Sequence, residues 1–334
     1  MHIYRDILKT AWKLLWRYPW LWVFGLLVAT VGNGNEYDSL FAAFNRLADQ
    51  GTLLAALQGA VASPRLGQVW QNLNTTLGQA PMLFALGLVL VLAVSGLAIW
   101  VIMVARGALI RALGNLHASE PISFSQATMV GVNRFWQIFT LNVLAKFFSY
   151  VVVVVAFLPF LISFLTQPTL GSSFSILMVI SAVLFIPLAL IVSFILKYAT
   201  IEIVLKKVSW WQGLEKGLNL FLRNWLVSLE MAAVLFVLNL VVSLILLWLF
   251  LPDALALGDE LFRIANTQGL VIGSRLVLTA LVFTAVGAWF ATFEYAAWVV
   301  LFRRLEQGPV ASKLARTATE VPELVGQWFS SKRQ

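Results

Sequence analysis

Residues 225–251 read WLVSLEMAAVLFVLNLVVSLILLWLFL, from Trp225 to Leu251, with Glu230 as the one charge. Crossing a hydrocarbon core about 30 Å thick takes about 20 apolar helical residues, and this stretch exceeds that. It is apolar on every side, so it needs an apolar environment all round. Further runs lie at Pro19–Val31, Pro81–Leu113, Phe135–Leu165, Phe174–Lys207 and Leu270–Arg304, the first of them short. Hydrophobic residues make up 60% of the chain and charged ones 11%, against about 25% charge in an ordinary soluble domain. That is too little polar surface to cover a water-soluble globule. The sequence predicts an all-α fold, a polytopic integral membrane bundle with six transmembrane helices.

Orientation follows from the bias of Lys and Arg towards the cytosol. With the N-terminus inside, the outer segments hold only Arg46, Arg65, Arg263 and Arg275 of the 23 basic residues. Lys146 and Lys197 fall within spans, and all the others lie on the cytosolic side. Both termini are therefore expected in the cytosol, with the chain in a bacterial inner membrane. The net charge of +8 reads as an attraction for anionic lipid headgroups, and nucleic-acid binding is not needed to explain it. Cysteine is absent, which excludes disulfides and thiolate metal sites. The two histidines, His2 and His117, are too isolated for a metal site. No metal or other cofactor is expected.

The chain repeats itself. Ile122-Ser123-Phe124-Ser125-Gln126-Ala127 parallels Val208-Ser209-Trp210-Trp211-Gln212-Gly213, and Gly131-Val132-Asn133 parallels Gly217-Leu218-Asn219 at the same offset. Each block opens on Ser-x-x-Gln, in which the serine accepts from a first-turn amide and the glutamine bonds back, so each starts a helix. Tyr4, Ala11, Leu15 and Trp16 align with Phe124, Gly131, Phe135 and Trp136 as a weaker third copy. At the far ends, Lys197-Tyr198-Ala199 matches Glu294-Tyr295-Ala296, each followed by a basic pair, Lys206-Lys207 and Arg303-Arg304. The expected unit is an elbow helix, a span out and a long span back.

Three such elbow-plus-hairpin repeats, at about residues 1–118, 119–207 and 208–306, make one transmembrane domain over 1–306. An outer-face helical insertion is expected at 32–80 and a cytosolic tail at 307–334. Pro159 and Pro187, inside spans, predict kinks. Gly213-x-x-x-Gly217 and Gly269-x-x-x-Gly273 have the spacing that lets helices approach closely.

The elbows read as amphipathic. Arg5, Lys9, Lys13 and Arg17 form a basic stripe, with Ile3, Ile7, Ala11, Leu14 and Tyr18 opposite. The third elbow sets Lys216, Asn219 and Arg223 against Trp211, Leu214, Leu218 and Phe221. Such helices are expected to lie in the headgroup layer with the apolar face towards lipid and the cations Arg5, Lys9, Lys13, Arg17, Lys216 and Arg223 on lipid phosphates. Trp12, Trp16, Trp20, Trp136, Trp210, Trp211, Trp225 and Trp298 are expected in an aromatic belt at that interface.

The elbow-and-hairpin pattern, with Ala11-Trp12-Lys13-Leu14-Leu15-Trp16-Arg17-Tyr18-Pro19-Trp20 and Arg106-Gly107-Ala108-Leu109-Ile110-Arg111, resembles a broad group of bacterial membrane proteins. The group includes the membrane domain fused to some glycerophosphodiester phosphodiesterases. The resemblance implies a membrane domain without catalysis of its own, since the fused enzymes carry theirs on a separate soluble domain.

Ionisable groups inside a membrane are costly and mark functional candidates. Lys146, Lys197, Glu230 and Glu294 form a candidate intramembrane polar layer. Counting about 1.5 Å per residue from the cytosolic ends puts Lys146, Lys197 and Glu294 roughly 14–16 Å deep and Glu230 roughly 9 Å. Lys197 with Glu294, and Lys146 with Glu230, are the expected pairs. They act either as a clamp fixing helix register or as a polar cavity lined also by Asn142, Tyr198, Glu202 and Tyr295. Without a nucleophile elbow, a His-Glu-x-x-His helix or a phosphate-binding loop, the sequence points to no enzyme. It points to a lipid-interacting or transport-associated protein, with a membrane-protein partner in prospect. The alternative is a permease for a small charged solute or a lipid headgroup at the Lys/Glu layer.

Overall fold

A computed structural model describes residues 3–29, 81–166, 172–260 and 269–308. These residues form eight helices and no strand: α1 Ile3–Arg17, α2 Leu21–Ala29, α3 Pro81–His117, α4 Phe124–Thr166, α5 Ser172–Lys206, α6 Trp210–Arg223, α7 Trp225–Glu260 and α8 Gly269–Glu306. The insertion expected at 32–80 and nearly all of the 307–334 tail lie outside the described residues. Among the described residues, four helices carry a stretch long and apolar enough to cross a membrane: Pro81–His117, Pro187–Lys206, Trp225–Phe250 and Val277–Glu306. That is compatible with an integral membrane protein. On α7 the outward residues Val237, Val241, Leu244 and Trp248 are all exposed and apolar, as a lipid-facing surface requires.

The chain divides into two compact units. One takes in Met1–Asn33, Val104–Leu141 and Phe194–Gln334, and the other Gly34–Met103 and Asn142–Ser193. In the second unit most of the described side chains of α3, such as Leu83, Leu86 and Val89, are exposed and apolar. The first unit holds the core: the ends of α3, α5 and α8, with Leu109, Ile110, Leu113, Ile203, Trp298 and Phe302 among its fully buried side chains.

Both expected capping boxes form. The Gln126 amide donates to Ser123 Oγ at 3.3 Å, and the Ser123 amide donates to Gln126 Oε1 at 3.0 Å. Ser209 and Gln212 repeat the exchange at 3.4 Å each way. Two otherwise unpartnered first-turn donors are satisfied in each case. Ser209→Ala is expected to lower stability by about 1 kcal/mol, and Ser209→Asp to keep most of it, as read by thermal unfolding of the detergent-solubilised protein.

The elbows differ in how they end, at positions the internal alignment makes equivalent. α1 stops before Tyr18-Pro19, because proline cannot continue the ladder. α6 stops at Asn224, whose Nδ2 donates to the Leu220 carbonyl at 3.1 Å, a side-chain bond that competes with helix continuation. Position 138 is isoleucine, with neither device, and α4 runs unbroken from Phe124 through the expected elbow into the span. α4 also continues through Pro159, and α5 through Pro187.

The apolar face of α1 packs on protein, not on lipid. Ile7, Ala11, Leu14 and Leu15 are buried, and α1 and α2 both lie against α8. The side chains left outside on α1 are Arg5, Asp6, Lys9, Lys13, Arg17, Trp12 and Trp16. On α6 the buried face is Gly213, Gly217 and Phe221, while Trp211 and Leu218 are exposed. The amphipathic pattern was legible, but its partner was another helix. A neighbouring helix that offers matching small side chains excludes lipid from that face, and dispersion contacts reward the fit.

Glycines set these close approaches. A Cβ on Gly131 would overlap the Val104 carbonyl and come 3.1 Å from the Ala108 amide nitrogen. One on Gly217 would lie 2.7 Å from the Ala199 nitrogen and 3.0 Å from the Ile195 oxygen. The Gly213–Gly217 spacing thus does what it promised, whereas Gly269 and Gly273 lie outside the described side chains.

Candidate functional site

The candidate polar layer resolves into two clusters in the first unit. In the first, Lys197 Nζ on α5 donates to Glu294 Oε1 on α8 at 2.7 Å. The lysine side chain is 13% exposed and the glutamate 1%. Lys197 Nζ also stands 4.8 Å from the ring centre of Trp298, a cation–π contact that helps offset its desolvation. Trp298 is therefore no belt residue. It lies one helical turn past Glu294 on the same face of α8, which directs it into the core, where it is 2% exposed. It meets Tyr198 edge-on at 5.9 Å and Phe194 at 5.6 Å.

Tyr198 and Glu202, expected along a cavity, are packed residues. Tyr198 is fully buried, with its hydroxyl 2.7 Å from Ser228 Oγ. Glu202 is buried and takes a hydrogen bond from Lys206 at 3.1 Å, one turn on. Lys206 also pairs with Glu306, and Glu306 reaches Arg303 at 3.7 Å. This chain of charges joins the ends of α5 and α8, and α3 is tied in where Arg111 donates to the Leu205 carbonyl at 3.3 Å. The spacing of Glu202 and Lys206 is a helical ion-pair signal that the sequence carried.

The second cluster centres on Glu230 of α7, which accepts from the Tyr4 hydroxyl of α1. The two are 226 residues apart, and no local pattern links them. Lys146, the expected partner of Glu230, is an exposed residue of the second unit. The six basic residues expected on lipid phosphates, Arg5, Lys9, Lys13, Arg17, Lys216 and Arg223, are all exposed.

Lys197 and Glu294 cancel each other's charge within a packed shell. No family model, curated protein or solved structure matches the chain. The site must therefore be read from its own chemistry. The pair joins α5 to α8 through a largely covered lysine and a buried carboxylate, with an aromatic ring on the lysine's flank.

Proposed function

We propose that the chain is a non-enzymatic, multi-pass protein of the bacterial inner membrane, built from three elbow-plus-hairpin repeats that give six spans, with both termini in the cytosol. Its work is contact with membrane lipids, anionic headgroups above all, and with other membrane proteins. The resemblance to the membrane domain fused to glycerophosphodiester phosphodiesterases fits a module that positions other components without chemistry of its own.

The observation that carries this reading is the common register of the three elbows. Gly131 meets the backbone at Val104 and Ala108, and Gly217 meets it at Ile195 and Ala199, the same four-residue frame on α3 and α5. Ala11, aligned with both glycines, is fully buried on α1, which packs on α8. Ile7, Ala127 and Gly213, one turn earlier, are likewise buried. Elbow two thus docks on the end of hairpin one, elbow three on the end of hairpin two, and elbow one on α8 of hairpin three. A clamp at Lys197–Glu294 suits such a scaffold better than a permease site, since both charges are already engaged.

Reporter fusions test the topology. A cytosol-active reporter is expected to work at both termini, and a reporter active only outside is expected to work when inserted at position 60. Activity of the outside reporter at the C-terminus would overturn the six-span arrangement.

A further inference from the structure

The elbows fix where the bilayer begins. α6 runs antiparallel to the end of α5: Gly213 faces Ile203 and Ala199, and four residues later Gly217 faces Ala199 and Ile195. Lys197 lies between those last two residues, so the Lys197–Glu294 pair is level with Gly217. Lys216, beside it, is exposed, and so is Arg223 further along the same helix. On α1 the same holds. Trp12 packs edge-on against Trp289 and Phe293, next to Glu294, while Lys9, Lys13 and Arg17 are exposed around it.

Exposed ammonium and guanidinium groups do not sit in hydrocarbon without reaching for the interface. The long helices leave room for a different level. α5 has 35 residues and α8 has 38, about 52 and 57 Å of rise against a core of about 30 Å. Counting depth from their cytosolic ends therefore places the pair too deep.

The elbows also carry outward apolar residues in one register. Trp16, Trp136 and Leu222 are aligned positions, and all three are more than half exposed. Trp12, Val132 and Leu218, one turn earlier, are exposed too. On the third elbow this stripe runs from Leu218 and Leu222 through Trp225 and Leu229 into Val237 and Val241 of the α7 span. The medium that covers the span therefore covers the elbow's outer face, and cations flank it.

We infer that the three elbows form a collar seated in the acidic phospholipid headgroup layer of the inner leaflet, with Trp16, Trp136 and Leu222 at one common depth, so that the Lys197–Glu294 pair lies at the headgroup level and not inside hydrocarbon. This rests on the membrane reading above and assigns the lipid contact to an outward face distinct from the buried face of each elbow.

The chain has no cysteine, so one introduced thiol carries the only spin label. Trp16→Cys, Trp136→Cys and Leu222→Cys, reconstituted in nanodiscs of equal parts phosphatidylcholine and phosphatidylglycerol, are expected to report the same interfacial depth within about 5 Å, one helical turn. Labels at Lys9→Cys and Lys216→Cys are expected on the water side, relaxed by a soluble nickel chelate. A label at Val241→Cys is expected deep, relaxed by oxygen. Should one apolar variant fail to fold, position 12, 132 or 218 of the same elbow carries the test.

A hydrocarbon depth at position 216, or unequal depths for the three elbows, overturns the inference. Water exposure at position 241 defeats the membrane reading itself. In the second arm, nanodiscs containing phosphatidylglycerol are expected to raise the thermal midpoint above that in phosphatidylcholine alone. Combined Arg5, Lys9, Lys13 and Arg17→Gln substitutions are expected to remove much of that gain. An equal midpoint in both lipids overturns the acidic-headgroup assignment.

Discussion

Gly131→Ala is expected to leave little correctly folded protein, while alanine at Gly87 or Gly96 does no harm. At position 131 the new methyl group meets one turn of backbone on α3, at the Val104 carbonyl and the Ala108 amide. Backbone cannot rotate away as a side chain can, so α3 and α4 must separate along their whole contact, losing the fit around Ile138 and Leu109. Overpacking of this kind costs about 1–3 kcal/mol where side chains yield and more where they do not, so the loss here should exceed about 3 kcal/mol. Gly217→Ala should be milder, because its nearest neighbours, at 2.7 and 3.0 Å, need a smaller shift. Gly114→Ala should be milder still, since it meets only the tip of the Leu205 side chain. Gly87 and Gly96 have nothing within 4 Å, so alanine there should gain up to about 1 kcal/mol of helix propensity. Thermal unfolding in detergent, followed by fluorescence-detected size exclusion, reads the whole series. A flat response would mean that the elbow is not held against α3 by backbone contact.

The sequence carried more of the framework than of the site. Long apolar runs and Ser-x-x-Gln boxes depend on local chemistry, so the starts of α4 and α6 were readable from Ser123 and Ser209. What covers an apolar face is a different matter. Ile7, Ala11 and Leu14 suit lipid and a helix groove equally, and only the partner on α8 distinguishes them. Trp298 misled for a related reason: a tryptophan near a basic helix end looks interfacial, yet its spacing of four from Glu294 already put it on the buried face. The missing break in α4 was also written in the chain, since Ile138-Phe139 stands where Tyr18-Pro19 and Asn224-Trp225 end the other two elbows. Tyr4 and Glu230, by contrast, meet only through the packing of α1, and nothing local foretold it. The pairing of Lys197 with Glu294 was approachable because Lys197-Tyr198-Ala199 and Glu294-Tyr295-Ala296 read as matching triplets.

That pair gives the second large effect, and its sign separates a clamp from a solute site. Removing one partner of a buried ion pair costs about 3–5 kcal/mol, because the other charge stays desolvated. The two single variants should differ. Lys197→Met takes the ammonium away from Glu294, which is 1% exposed, and is expected to cost about 3 kcal/mol. Glu294→Gln leaves an acceptor for the lysine, whose side chain is 13% exposed and can reach towards solvent, so the loss should be about half as large. Lys197→Met combined with Glu294→Leu removes both desolvation costs and keeps the volume, and should return close to the parent midpoint, as replaced buried ion pairs often do. The charge-swapped pair, Lys197→Glu with Glu294→Lys, should recover only part, because the cation would leave its place over Trp298. For a clamp, whatever the protein does in the cell follows folding across all four variants, and the apolar double variant complements a deletion strain. If the apolar double variant is fully folded but fails to complement, the charges themselves are used, and the permease reading replaces the scaffold.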